Sequence, residues 1–126
     1  MPSEYTDLVE RLQETSIPFA EYGWKNRPKG IYGIVGLDFE SDSEDSDDAK
    51  GDTSWEASVD VFFPKLADRE TVRGIVEPIL AEVCGASWWL NSLQHESDTG
   101  YFHIEWACEV QDNPEEDETD AVPAAD

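Results

Sequence analysis

The chain has 126 residues, which is room for one hydrophobic core and not for two domains. Its 39% apolar share, with five Trp, four Tyr and five Phe, is enough to build that core, which excludes a wholly disordered chain. A formal charge of −22 excludes a conventional nucleic-acid binder, because such a protein needs a basic footprint to release counterions from phosphates.

From Ser3 to Thr15, Tyr5, Leu8, Val9 and Leu12 recur at spacings of three and four, behind a serine able to cap the orphan N–H groups. This predicts a short amphipathic helix. Ile17-Pro18 ends it, because the residue before proline is pushed out of the α region and proline cannot donate the next helical bond. Phe19 to Gly30 then reads as a connector. Within it Tyr22, Trp24, Lys25, Arg27 and Lys29 gather two aromatics and three of the eight bases among Gly23, Pro28 and Gly30. Tyr22, Trp24, Lys25 and Arg27 are candidate subunit-interface residues on a docking arm. The aromatics serve equally well as cover for one edge of the core, with the bases facing water.

Ile31 to Phe39 is apolar and β-branched, which predicts a strand, with Gly33 and Gly36 marking a bulge or a close backbone approach. The acidic, serine-rich run that follows, about 40–52, holds no large apolar residue to repay its ordering entropy and is expected to be a mobile hairpin loop. Asp38, Asp42, Asp45, Asp47, Asp48 and Asp52 offer hard oxygen ligands, but the glycine-centred calcium loop between two helices is absent, so no metal site is assigned.

Thr53 to Phe63 alternates, with Trp55, Ala57, Val59, Val61 and Phe63 on one face. Pro64 stops this strand. Asp68 is placed to cap a second helix carrying Val72, Ile75, Val76, Ile79, Leu80 and Val83 down one side and ending at Gly85. Pro78 inside it removes one backbone bond, a cost of about 3 kcal/mol or a kink, so a bent helix is expected. Ala86 to His95 and Tyr101 to Val110 form a hairpin around Glu96–Gly100, with Phe102, Ile104, Trp106, Cys108 and Val110 on its core face. Residues 112–126 carry proline, alanine and acids without an apolar period, and are expected to be a disordered acidic tail.

The predicted fold is therefore α+β: a single domain over 1–111, in the order α-β-β-α-β-β. Its mostly antiparallel, four-stranded sheet carries both helices on one face and a long acidic hairpin loop between the first two strands. The charge divides accordingly. Asp38 to Asp52 holds eight acids and one base, and Asp112 to Asp126 seven acids and no base, leaving the remaining body at −8. Surplus acid of this kind suits solubility or a salt-adapted, halophilic host.

Cys84 and Cys108 are the only cysteines, with neither close nor metal-type spacing and no secretory signal before them, so a reduced intracellular setting is expected. No apolar run approaches the roughly 18 residues of a membrane helix, and no membrane role is expected. No phosphate-cradling glycine loop, nucleophile elbow or zinc-type pair is present, and an enzyme is not expected. His95 and His103 can approach across the last hairpin beside Glu105, yet surface histidines on hairpins are common. No catalytic, cofactor-binding or metal role is assigned.

The order of elements has landmarks in Ile17-Pro18-Phe19-Ala20-Glu21-Tyr22 and Arg27-Pro28-Lys29-Gly30-Ile31-Tyr32. Further landmarks are Ala57-Ser58-Val59-Asp60-Val61-Phe62-Phe63, the acidic helix start Asp68-Arg69-Glu70, and Phe102-His103-Ile104-Glu105-Trp106. Together they resemble the tail terminator or tail completion proteins of long-tailed bacteriophages and prophages. The resemblance spans roughly residues 5 to 110 by pattern and not by an invariant motif. It departs where the family often enters its first strand by Pro-Pro-Tyr, and in the acidity of loop and tail.

The resemblance implies a virion assembly protein without cofactors: a homo-oligomeric ring, commonly a hexamer, that caps the tail tube and meets a neck or head-completion protein while DNA passes without specific binding. Asp42, Glu44, Asp45, Asp47 and Asp48 are then expected to face the lumen or the neighbouring ring. The competing classes are an acidic DNA-mimic inhibitor, which needs ordered carboxylates, and a small adaptor protein of a halophilic host.

Overall fold

The computed structural model describes residues 2–38 and 54–112. The expected acidic loop at about 40–52, and all of the expected tail except Asp112, lie outside the described residues.

Helix α1 (Ser3–Gln13) buries Tyr5, Leu8, Val9 and Leu12, the stripe its spacing predicts. Ser3 begins the helix and does not cap it. The N-cap position is Pro2, in extended conformation and without a side-chain bond, and the Ser3 N–H donates to Asp112 Oδ1 at 3.1 Å. Glu4 accepts the Gln111 N–H at 3.0 Å, so the start of the helix is fastened to the end of the last strand.

Strands β1 (Phe19–Glu21), β2 (Tyr32–Leu37) and β3 (Ser54–Phe63) come next, then a single 3-10 turn at Leu66–Asp68. Helix α2 (Arg69–Cys84) and strands β4 (Trp88–His95) and β5 (Phe102–Gln111) complete the fold. The sheet runs β1-β2-β3-β5-β4, antiparallel except where β1 lies parallel to β2, so the architecture is α+β with a five-stranded mixed sheet.

A fifth strand thus corrects the expected four. Phe19–Glu21 falls inside the expected connector, and three residues are too few for alternation to show. Its place is set by glycine in its neighbour. A Cβ on Gly33 would stand 2.3 Å from the Phe19 ring, and one on Gly36 would stand 3.0 Å from the Tyr22 ring. The two glycines mark close approach and not a bulge, since the β2–β3 register runs unbroken from Tyr32↔Phe62 to Leu37↔Ala57.

β3 and β5 pair over ten residues and alternate in and out together. Ala57, Val59, Val61 and Phe63 face the helices beside Ile104, Trp106, Cys108 and Val110, and all eight are fully buried. Val72, Val76 and Leu80 of α2 close this core, with Ile75, Ile79 and Val83 packed partly buried against it. Each large apolar side chain so buried contributes about 1.5–3 kcal/mol.

Asp68 occupies the N-cap position of α2 but makes no side-chain cap bond, because the 3-10 turn already leads the backbone into the helix. α2 is assigned as one helix through Pro78 and stops at Gly85, whose φ of 64° is a left-handed conformation that glycine takes without penalty. Trp106 donates its indole N–H to Glu77 Oε2 at 3.0 Å, and Arg73 donates to the same oxygen at 2.8 Å, so the one polar atom of the largest core side chain is satisfied.

Gly33→Ala is expected to lower stability by about 1–3 kcal/mol, because the added Cβ would stand 2.3 Å from the buried Phe19 ring, which must shift. The measurement is urea denaturation, with a lower midpoint at unchanged m.

Candidate functional site

Both helices lie on one face of the sheet, and among the described residues no helix covers the other. Period-two alternation therefore presents the second residue set of β2, β3 and β5 outward. At one end of this face the side chains form an aromatic row. Arg27 lies over the Tyr32 and Tyr101 rings, 5.7 and 5.5 Å from their centroids, and donates to the Tyr32 hydroxyl at 3.0 Å. Tyr32 stacks on Phe62 at 4.9 Å, and Phe62 on His103 at 4.1 Å.

The His103 imidazole meets carboxylates through both nitrogens, Asp60 Oδ2 at 2.6 Å from Nε2 and Glu96 Oε2 at 3.4 Å from Nδ1. Burial works to lower its pKa, but the bond to Asp60 and the charges of Asp60, Glu96 and Glu105 outweigh burial and raise it. Next along the strands, Asp60 stands directly across from Glu105, and Glu56 directly across from Glu109. Like charges opposed in this way are destabilising. Burial first, then Asp38, Glu109 and Glu105, push the Glu56 carboxyl above its ordinary value. Asp38 is raised by burial and by Asp60, against a hydrogen bond with Ser58.

His95 does not join His103. The hairpin pairs His95 with Phe102 and His103 with Gln94, so the two histidines point to opposite faces, and His95 stacks on Phe102 at 4.5 Å. The aromatic–histidine–carboxylate row is an arrangement of charge and stacking, with the Ser58 hydroxyl between Glu56 and Asp60.

The connector arm is tied to its own sheet. Trp24 is half-buried and donates its indole N–H to the Gly33 carbonyl at 2.9 Å. Tyr22 takes a φ of 65°, folds its ring over Gly36 and accepts the Leu37 N–H on its hydroxyl at 3.3 Å, yet remains 65% exposed. It borders an open groove of about 490 Å³ lined also by Ile34, Leu37, Asp38 and Ser58. Lys25 is exposed, and Arg27 is committed to the tyrosines. Of the four interface candidates, Tyr22 and Lys25 are thus exposed, while Trp24 is half-buried and bonded to β2. Asp42, Glu44, Asp45, Asp47 and Asp48 lie outside the described residues.

Residues that sequence reasoning passed over stand out on β4. It is the last strand of the sheet, and among the described residues its outer edge has no pairing strand. Its eight residues, WWLNSLQH, include no Asp, Glu, Lys or Arg in a chain that is 30% charged. Trp89, Leu90 and Leu93 are 42%, 37% and 41% exposed. A register shift between Leu90 and Ser92 sets Trp89 across from Ala107 on the uncovered face and Leu93 across from Ile104 on the helix face, so apolar surface shows on both sides of the edge. The signal available beforehand was the absence of charge from Gly85 to His95.

Comparison with protein-family models and with the sequences of curated proteins returns no match.

An imidazolium favoured by the fold adds stability that is fully present below the unfolded pKa, near 6.5, and is lost as pH rises through the raised folded value. His103→Gln removes this contribution. Thermal melts across pH are expected to show wild type most ahead of the variant below pH 6.5, with the gap closing as pH rises.

Proposed function

We propose that this protein is a structural assembly subunit, not an enzyme: a ring-forming tail terminator or tail completion protein. It sits at the head-proximal end of a phage tail tube, ends tube polymerisation and joins the tail to the neck or head. The observation that carries the assembly reading is β4, an uncharged edge strand with exposed Trp89, Leu90 and Leu93. Soluble proteins blunt such edges with charge, proline or a cover, and an edge left bare is one that pairs or packs against another chain. The phage setting rests on the resemblance in element order and landmark residues between 5 and 110.

In this reading the ring is a homo-oligomer, six-membered as is common in the resembled family, closed by a heterologous contact. β4 with its apolar flanks forms one side of the seam, and Tyr22 and Lys25 at the opposite end of the sheet belong to the other. The cross-strand carboxylates at Glu56, Asp60, Glu105 and Glu109 give the uncovered face a negative field that repels DNA phosphates, which suits a passage DNA slides through. The partners are the tail tube protein and a neck or head-completion protein, and the location is the virion.

Those ordered carboxylates also favour a second reading, an acidic DNA-mimic that occupies the basic groove of a nucleic-acid enzyme. Ser58 and Ala107 interrupt them, and β4 has no part in that reading. Capture of nucleases or polymerases, in place of tube and neck proteins, from an infected-cell lysate would select it.

Light scattering of the purified chain, alone and with the tube protein, is expected to show a closed oligomer. Leu93→Lys is expected to weaken self-association at least about tenfold, roughly 1.4 kcal/mol per contact, with the melting temperature of the subunit nearly unchanged because Leu93 is exposed. A wild-type chain that stays monomeric at high concentration with and without the tube protein overturns the reading.

A further inference from the structure

The two cysteines, 24 positions apart and without any recognised spacing, are brought together by the fold. Cys84 is the last residue of α2. The chain reverses over Gly85, Ala86 and Ser87, held by the Ser87 N–H donating to the Cys84 carbonyl at 3.0 Å and by the Glu109 N–H donating to the Ser87 carbonyl at 2.9 Å. β4 then starts with Trp88 paired to Cys108. The helix end and the strand are therefore side by side, and Cys84 packs against the core cluster that holds Cys108. Cys84 is partly exposed and Cys108 is fully buried in the core.

We propose that Cys84 and Cys108 form a reversible intramolecular disulfide by exchange with an oxidised low-molecular-weight thiol of the glutathione class, Cys84 attacking and Cys108 resolving. The roles follow from access and from acidity. The exposed Cys84 has its pKa lowered by the bond from Cys108, against the effect of burial. Cys108 is raised by that same bond and by burial. The thiolate, which is the nucleophile, thus forms on the thiol that a reagent can reach.

In the first step Cys84 loses its proton to solvent and attacks one sulfur of glutathione disulfide, breaking that S–S bond, making a mixed disulfide and releasing one glutathione thiolate. In the second, Cys108 gives up its proton and attacks Cys84 Sγ, forming the internal bond and releasing the second glutathione. The protein loses two protons and two electrons, and one glutathione disulfide takes them up to become two glutathiones.

The bond closes a loop of about 25 residues that holds all of β4 and the hairpin, and it staples the end of α2 to the middle of β5. It therefore stabilises the part of the fold that carries the exposed edge. Nothing in it depends on a ring or on a phage partner.

The test is to equilibrate the wild-type chain in glutathione redox buffers, quench with an alkylating reagent and record the intact mass. The expected product is a single chain lighter by two hydrogen atoms and closed to alkylation. It melts on the order of 10 °C higher and is returned to the dithiol by dithiothreitol. Cys108→Ala is expected to stop at a glutathione adduct on Cys84, and Cys84→Ala to leave Cys108 unmodified in the folded state. A wild-type chain that keeps a stable glutathione adduct, links to a second chain, or stays a dithiol in fully oxidised glutathione overturns the proposal, whether or not the alanine variants fold.

Discussion

The ten-residue register between β3 and β5 is the constraint from which the other features follow. Because successive side chains point to opposite faces, one pairing decides both sides of the sheet at once. It sets Val59 beside Trp106 and Val61 beside Ile104 against the helices, and in the same stroke sets Asp60 beside Glu105 and Phe62 beside His103 on the uncovered face. A slip of one residue would bury the carboxylates and expose the tryptophan. The apolar set is large enough to forbid this, so the fold tolerates directly opposed acids on its outer face.

The same register accounts for the partial relief of that repulsion. His103 is delivered between Asp60 and Glu96 with Phe62 against its ring, which gives the carboxylates a titratable partner. Arg27 is spent elsewhere, on Tyr32 and Tyr101 at the end of the row. Glu56 and Asp38, farther along, hold their protons more tightly, through burial first and the neighbouring acids second.

Much of this was legible beforehand. The stripe of α1, the alternation of β3 and β5, the helix from Asp68 to Gly85 and the reversal at Glu96–Gly100 each follow from a period or a turn signal carried by neighbouring residues. What was not legible depended on contacts between distant residues. β1 is recognised only through Gly33, the pairing of Cys84 with Cys108 only through the reversal that ends α2, and the opposite facing of His95 and His103 only through the hairpin's register. The apolar edge of β4 is a subtler case. Its residues predict a strand correctly, but exposure is decided by strand order, and the order puts it last.

The proposed assembly role and the shape of the surface meet on that edge. In a chain of such acidity, uncharged exposed surface is scarce, and β4 concentrates Trp89, Leu90 and Leu93 on an edge strand. Electron cryo-microscopy of the assembled oligomer tests the central claim most directly. The account predicts a closed ring with β4 buried in every subunit seam. A ring whose β4 edges all face solvent would contradict it.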